Sequence, residues 1–169
     1  MTEHYDIIFD IADRPFNWWP IGLALPLLLL ALLTQSLPPN RPSARSLALV
    51  PVVIGALWIA WWGGVHWTQH QRLLAARSTG QYEITEGSVE NFYNPPIGDH
   101  GPDTFSVNSQ RFEVHSWIVS EAFNSRTHDG GPRLHEACVR ILHTDRNEII
   151  WLGVSQQTPC PSDLADAAE

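Results

Sequence analysis

Eight histidines stand in a chain of 169 residues, and their spacing is where chemistry would first be sought. His66 and His70 are four residues apart, so a helix would set both rings on one face, a spacing zinc or haem can use. A metalloprotease helix would need Glu directly after the first of them, and Trp67 stands there instead. Two rings at the end of an apolar stretch serve more simply as wet interfacial anchors. A second group, His128, Asp129, Gly130, Gly131, Arg133, His135 and Glu136, gathers between residues 121 and 136; a third comprises Asp99, His100 and Asp103. Joined by the fold, two His and a carboxylate would hold a divalent cation or perform acid–base work. Nothing in the spacing demands this, because Gly-Gly-Pro makes a tight turn and long loops collect polar residues. His66, His70, His128 and His135 are therefore the metal-ligand candidates, while no bound metal, cofactor or catalytic residue is expected.

Cys138 shares a strand face with Arg140, opposite Val139 and Ile141, and a neighbouring cation can lower a thiol pKa. No His or Asn partner can be assigned to it, and a plain strand cysteine is the simpler reading. Pairing with Cys160, 22 residues on, is conceivable only on an oxidising side of a membrane. All ten basic residues are Arg, which excludes a Walker-A loop and every lysine-dependent scheme. A net charge of −8 argues against nucleic acid as a partner. Neither a Gly-x-Ser-x-Gly elbow nor a dinucleotide glycine fingerprint is present.

The elements that would position these residues fall into two unlike halves. Arg14 and Arg41 enclose 26 uncharged residues, and Arg45 and Arg72 enclose another 26. Each stretch predicts a span, over 17–37 and 47–67, about 30 Å long at ~1.5 Å per residue. Trp18, Trp19, Trp61, Trp62 and Trp67 stand near the ends, the depth indole rings prefer. Ala56, Ala60 and Gly64 form a small-residue seam against which the first span, or a partner helix, can pack. The acidic N-terminus, with Glu3, Asp6, Asp10 and Asp13, does not read as a cleavable signal. The connecting loop holds Arg41 and Arg45, the flanks Arg14, Arg72 and Arg77; this count leans the ends toward the cytoplasm.

After residue 67 a helical stalk over 68–80 is expected, stopped at Gly80. From residue 81 to 154, short alternating segments point to a small antiparallel β-barrel or sandwich, OB-like in character. One strand is expected to bend at Gly87 through a bulge, and Asn108-Ser109-Gln110 to turn a hairpin. Ile7, Phe9 and Ile11 in the N-terminal tail (residues 1–15) would share a face, which suits either a further strand of the β domain or an amphipathic segment lying at the membrane interface. Residues 155–169 read as a disordered acidic tail.

The motifs Glu86-Gly87-x-Val89-x-Asn91-Phe92, Phe105-x-Val107-Asn108, Phe123-Asn124, Gly130-Gly131-Pro132 and Val139-Arg140-Ile141 carry a resemblance. With the layout around them, they resemble uncharacterised small bacterial membrane proteins that have two N-terminal transmembrane helices followed by a compact β domain. Ala137 departs from the Gly expected there, and the chain runs past the usual end. The resemblance implies an architecture and a bacterial inner-membrane setting, and no activity or site. The expected function is thus non-enzymatic: a membrane anchor presenting a β domain to a partner protein or a second copy, as an accessory or scaffolding subunit. The alternative is a ligand- or metal-responsive module using the His/Asp loops.

Overall fold

The computed structural model describes residues 5–22, 24–35, 42–96, 99, 101–116, 120–155 and 160. The chain divides into two compact units, Pro15–Gln71 and a second one built from Met1–Arg14 with Arg72–Glu169.

In the first unit, α1 covers Trp19–Gly22, α2 Ala24–Gln35, and α3 begins at Pro42 and ends at Thr79. Residue 23, between α1 and α2, lies outside the described residues. The expected pair of spanning helices is not what the described residues show. The stretch Val50–Thr79 of α3 is long and apolar enough to cross a membrane. α2 is described over 12 residues, between residue 23 and residue 36. The connecting residues 36–41 lie outside the described residues.

The stalk expected over 68–80 is the continuation of α3, and from Arg72 onward it belongs to the β unit. Gly80, at φ 75°, ends it, and the Gln81 N–H returns to the Ala76 carbonyl at 3.0 Å, a Schellman closure. Leu73 is completely buried in the core of this unit. Two ion pairs flank it. Arg72 Nη2 lies 2.6 Å from Glu148 Oε1, and Arg77 Nη2 lies 3.1 Å from Asp10 Oδ2.

Six strands form the sheet: β1 Asp6–Asp10, β2 Glu83–Tyr93, β3 Asp103–Val107, β4 Gln110–Val114, β5 Cys138–His143 and β6 Ile149–Ser155. Their spatial order is β1-β6-β5-β2-β3-β4, every neighbour antiparallel. The long β2 joins two halves. Residues 83–88 pair with β5, and residues 89–93 with β3.

This sheet is not the expected OB-like barrel. Among the described residues it does not close, because β1 and β4 remain its two edges. One face of the sheet is covered instead by Leu73 from α3 and by Ala122, Phe123 and Leu134 from the segment between β4 and β5. Phe123 stacks edge-on against Phe9 at 5.5 Å and donates its N–H to the Ile149 carbonyl at 3.0 Å.

Local chemistry sets the register. Asn108 and Ser109, both at positive φ, form the two-residue loop between β3 and β4. Between β5 and β6, the Asn147 N–H donates to Thr144 O, and Asn147 takes a φ of 58°. That is a three-residue loop closed by a left-handed residue. The bulge expected at Gly87 lies later, between Glu90 and Tyr93, where Asn91 adopts φ 51°. At Gly87 a Cβ would stand 3.0 Å from Asn108 Oδ1, and the Asn108 amide donates to Glu86 O at 2.7 Å. Gly87 thus lies where the Asn108 side chain packs closely on the backbone, and not at the bulge. In β1 a register shift between Ile7 and Phe9 turns Ile7 out to solvent while Phe9 and Ile11 are buried.

Leu73→Ala is expected to destabilise the folded chain by about 2–5 kcal/mol through cavity formation. Denaturant unfolding in detergent measures this, and an unchanged midpoint would remove the helix end from the core.

Candidate functional site

Alternation along β5 sets Val139 and Ile141 on one face of the sheet and half-buried Arg140 and buried Leu142 on the other. There a groove of about 250 Å³ opens. Leu142 and Trp151 form its floor, Tyr5 and Ile7 one side, Tyr82 and Ile84 the other. Gly153 makes the floor possible, because a Cβ there would collide with the Trp151 ring and stand 2.9 Å from Tyr5 Cβ. Tyr5 crosses this glycine and donates its hydroxyl to Glu86 Oε1 at 2.7 Å. Burial, followed by that bond to the Glu86 carboxylate, pushes the phenol above its ordinary range.

Both cations at the groove are already engaged. Arg77 forks onto Asp10, at 3.1 and 3.4 Å, and Asp10 also accepts the Ala12 N–H. Arg140 Nε stands 3.4 Å from Glu86 Oε2, an ion pair without hydrogen-bond alignment. Two neutralised pairs beside an apolar floor favour an uncharged, apolar occupant. Ile7 is 62% and Ile84 51% exposed, so the rim offers branched aliphatic side chains to solvent.

The two polar loops do come together, yet around a guanidinium rather than an open site. Arg126, nearly buried, donates through Nη1 to the carbonyls of Asp99 and Gly101, at 3.2 and 2.6 Å. Its Nε reaches Asp129 Oδ2 at 3.0 Å. Asp103 accepts the Thr127 N–H at 2.8 Å, and the Gly131 N–H returns to Arg126 O at 2.8 Å. Gly131 has no room for a Cβ against the Ser125 carbonyl. His128 is exposed on a short 3₁₀ turn (Thr127–Asp129), and His135 is exposed beside Glu136 at 3.8 Å. His100 lies outside the described residues. Among the described residues no three His, Cys, Asp or Glu side chains cluster as a metal site. His143 is a satisfied core residue, bonded to Thr85 Oγ1 at 2.9 Å and to Thr144 O at 3.1 Å.

On α3, His66 and His70 do share the buried face, together with Gly55 and Trp62. The His66 ring stacks on Trp62 at 4.1 Å, and His70 meets Phe16 edge-on at 5.7 Å. Ala56, Ala60 and Gly64 lie on the exposed side of the same helix. The larger aromatic rings, which gain more contact on burial, occupy the inner stripe.

Cys138 is not a free thiol. It is bonded to Cys160, with Cα atoms 5.5 Å apart, and Ser88 Oγ lies 3.0 Å from the Cys160 sulfur. This removes the low-pKa nucleophile considered above, and it places residue 160, inside the stretch read as a tail, in a buried position.

No family model, curated protein or solved structure matches this chain. The groove itself was not read from sequence, since Tyr5, Tyr82 and Trp151 are brought together only by strand pairing. One local signal existed: Gly two residues after Trp within a strand marks a ring lying along the sheet.

The Ser116 hydroxyl and then the Arg126 guanidinium hold the Asp129 carboxyl below its ordinary value of 3.8. A lowered folded-state pKa adds stability that is complete above the unfolded value and lost as pH falls through the folded one. Asp129→Asn is therefore expected to flatten the acid limb of the stability curve below about pH 4. A carboxyl resonance at Asp129 titrating in the ordinary range would contradict this.

Proposed function

We propose that the chain is a membrane-anchored accessory subunit of a bacterial inner-membrane complex, presenting its β unit to a partner protein. The observation that carries the anchoring is one of parity. β1 pairs with β6 in one sheet, so both ends of the chain occupy one side of any membrane that α3 crosses. A single crossing between β1 and β2 would separate them. A second crossing is therefore needed, and the uncharged stretch around α2 is the segment available for it. This supports a two-span hairpin.

The groove supports partner binding. Tyr, Trp and Arg are the residue types that dominate interface anchors, and Tyr5, Tyr82, Trp151, Arg77 and Arg140 all border it. Strand addition at the edges is less favoured. β4 turns Arg111 and Glu113 outward, and β1 begins and ends in Asp6 and Asp10, charges of the kind that guard sheet edges. An apolar side chain of the partner, seated on Leu142 and Trp151, fits the uncharged floor.

Extraction of the tagged full chain from its native membrane in mild detergent tests this. A stoichiometric membrane partner is expected to co-purify, and Ile84→Asp or Ile7→Asp to reduce its yield at least about tenfold, the loss of one interface anchor. Both positions are exposed, so the variants should keep their unfolding midpoint. A chain that purifies alone, or a partner indifferent to both substitutions, would overturn the reading.

A further inference from the structure

We infer that the β unit matures on the oxidising, extracytoplasmic side of the membrane, with Arg41 and Arg45 left on the cytoplasmic side. The inference rests on the reading of α3 as a span and adds the direction in which it runs. Cys138 and Cys160 are the two cysteines of the sequence, so the pairing has no competitor. They are 4% and 3% exposed, and their Cα separation of 5.5 Å is one a bridge accepts. The position of Cys138 is held by the ladder, opposite Ser88 on one side and Ser155 on the other. The bond therefore holds residue 160, five positions past the end of β6, against β5 and beside Ser88.

Buried disulfides of this kind form and persist outside the cytosol, where glutathione and thioredoxin would keep both thiols reduced. Against this stands the arginine count, two in the connecting loop and three in the flanks. A difference of one is a slight bias, and Arg72 and Arg77 lie nearly as close together as Arg41 and Arg45, so the arginines do not set the direction and the disulfide does.

The bond has a defined chemistry. The thiolate of one cysteine attacks the disulfide of an extracytoplasmic dithiol oxidase and forms a mixed disulfide. The second cysteine, as thiolate, then displaces the enzyme sulfur. Two protons leave the cysteines, and the oxidase departs as a dithiol carrying the two electrons.

The test uses the full chain in a Gram-negative host. Cells are quenched in acid and alkylated, then the protein is treated with a mass-tagged maleimide before and after reduction. In parallel, the C-terminus is fused to alkaline phosphatase, which is active only when exported, or to a green fluorescent protein, which is bright in the cytoplasm. Two tags gained only after reduction, with an active phosphatase and a dark fluorescent fusion, are the expected result. No tag gained even after reduction, because both thiols were free and alkylated in the cell, or a bright fluorescent fusion with inactive phosphatase, would overturn the inference. Release of the chain by alkaline carbonate would instead count against α3 as a span, a failure readable apart from the thiol state.

Discussion

The pairing of β1 with β6 is the constraint on which the rest of the architecture turns. It joins Asp6 to Val154 and Asp10 to Trp151, so the first strand and the last lie side by side with every other element between them. Loop closure over so long a segment is entropically costly, though the cost grows only slowly with length. What offsets it is burial. Phe9 and Ile11 enter the common core and meet Phe123, Leu152 and Leu73 there. Once this pairing is made, the strand before the apolar helices and the strands after them belong to one unit.

The end of α3 is fastened to the same unit by a combination of apolar and ionic contacts. Leu73 supplies the buried area, and Arg72 and Arg77 reach Glu148 and Asp10 on either side of it. Partly exposed pairs of this sort contribute modestly to stability, about 0–1 kcal/mol each. Their larger effect is on orientation and on the character of the groove. Arg77 with Asp10 and Arg140 with Glu86 pair the charges that line or border the groove, beside the apolar surface of Leu142 and Trp151.

The loop cluster shows how closely a structural lock can imitate a site. Aspartates and glycines of the two loops converge, but Arg126 occupies the junction and ties Asp99, Gly101 and Asp129 together, while His128 and His135 stay exposed. A cation fixed by the chain itself meets the need of the loop carbonyls for donors. The same economy appears at Cys138, where the apparent nucleophile is spent on a bond that holds residue 160.

Much of the fold was legible in the residues alone. Charge-free stretches marked the apolar helices, Asn108-Ser109 marked a hairpin, and alternation from Gln110 to Val114 and along β5 separated buried from outward positions. These are local signals, set by helix and strand periods and by the few residues that accept positive φ. Whether the sheet closes, which face of α3 is buried, where the β2 bulge sits and which loops meet depend on contacts between distant segments. Among the described residues of α3, the Trp62–His66–His70 stripe is buried and Ala56, Ala60 and Gly64 are exposed, a difference that spacing alone does not give. The groove lay beyond sequence for the same reason. Its floor and walls come from Tyr5, Tyr82, Arg140 and Trp151, residues with no shared period, which strand order alone brings onto one surface.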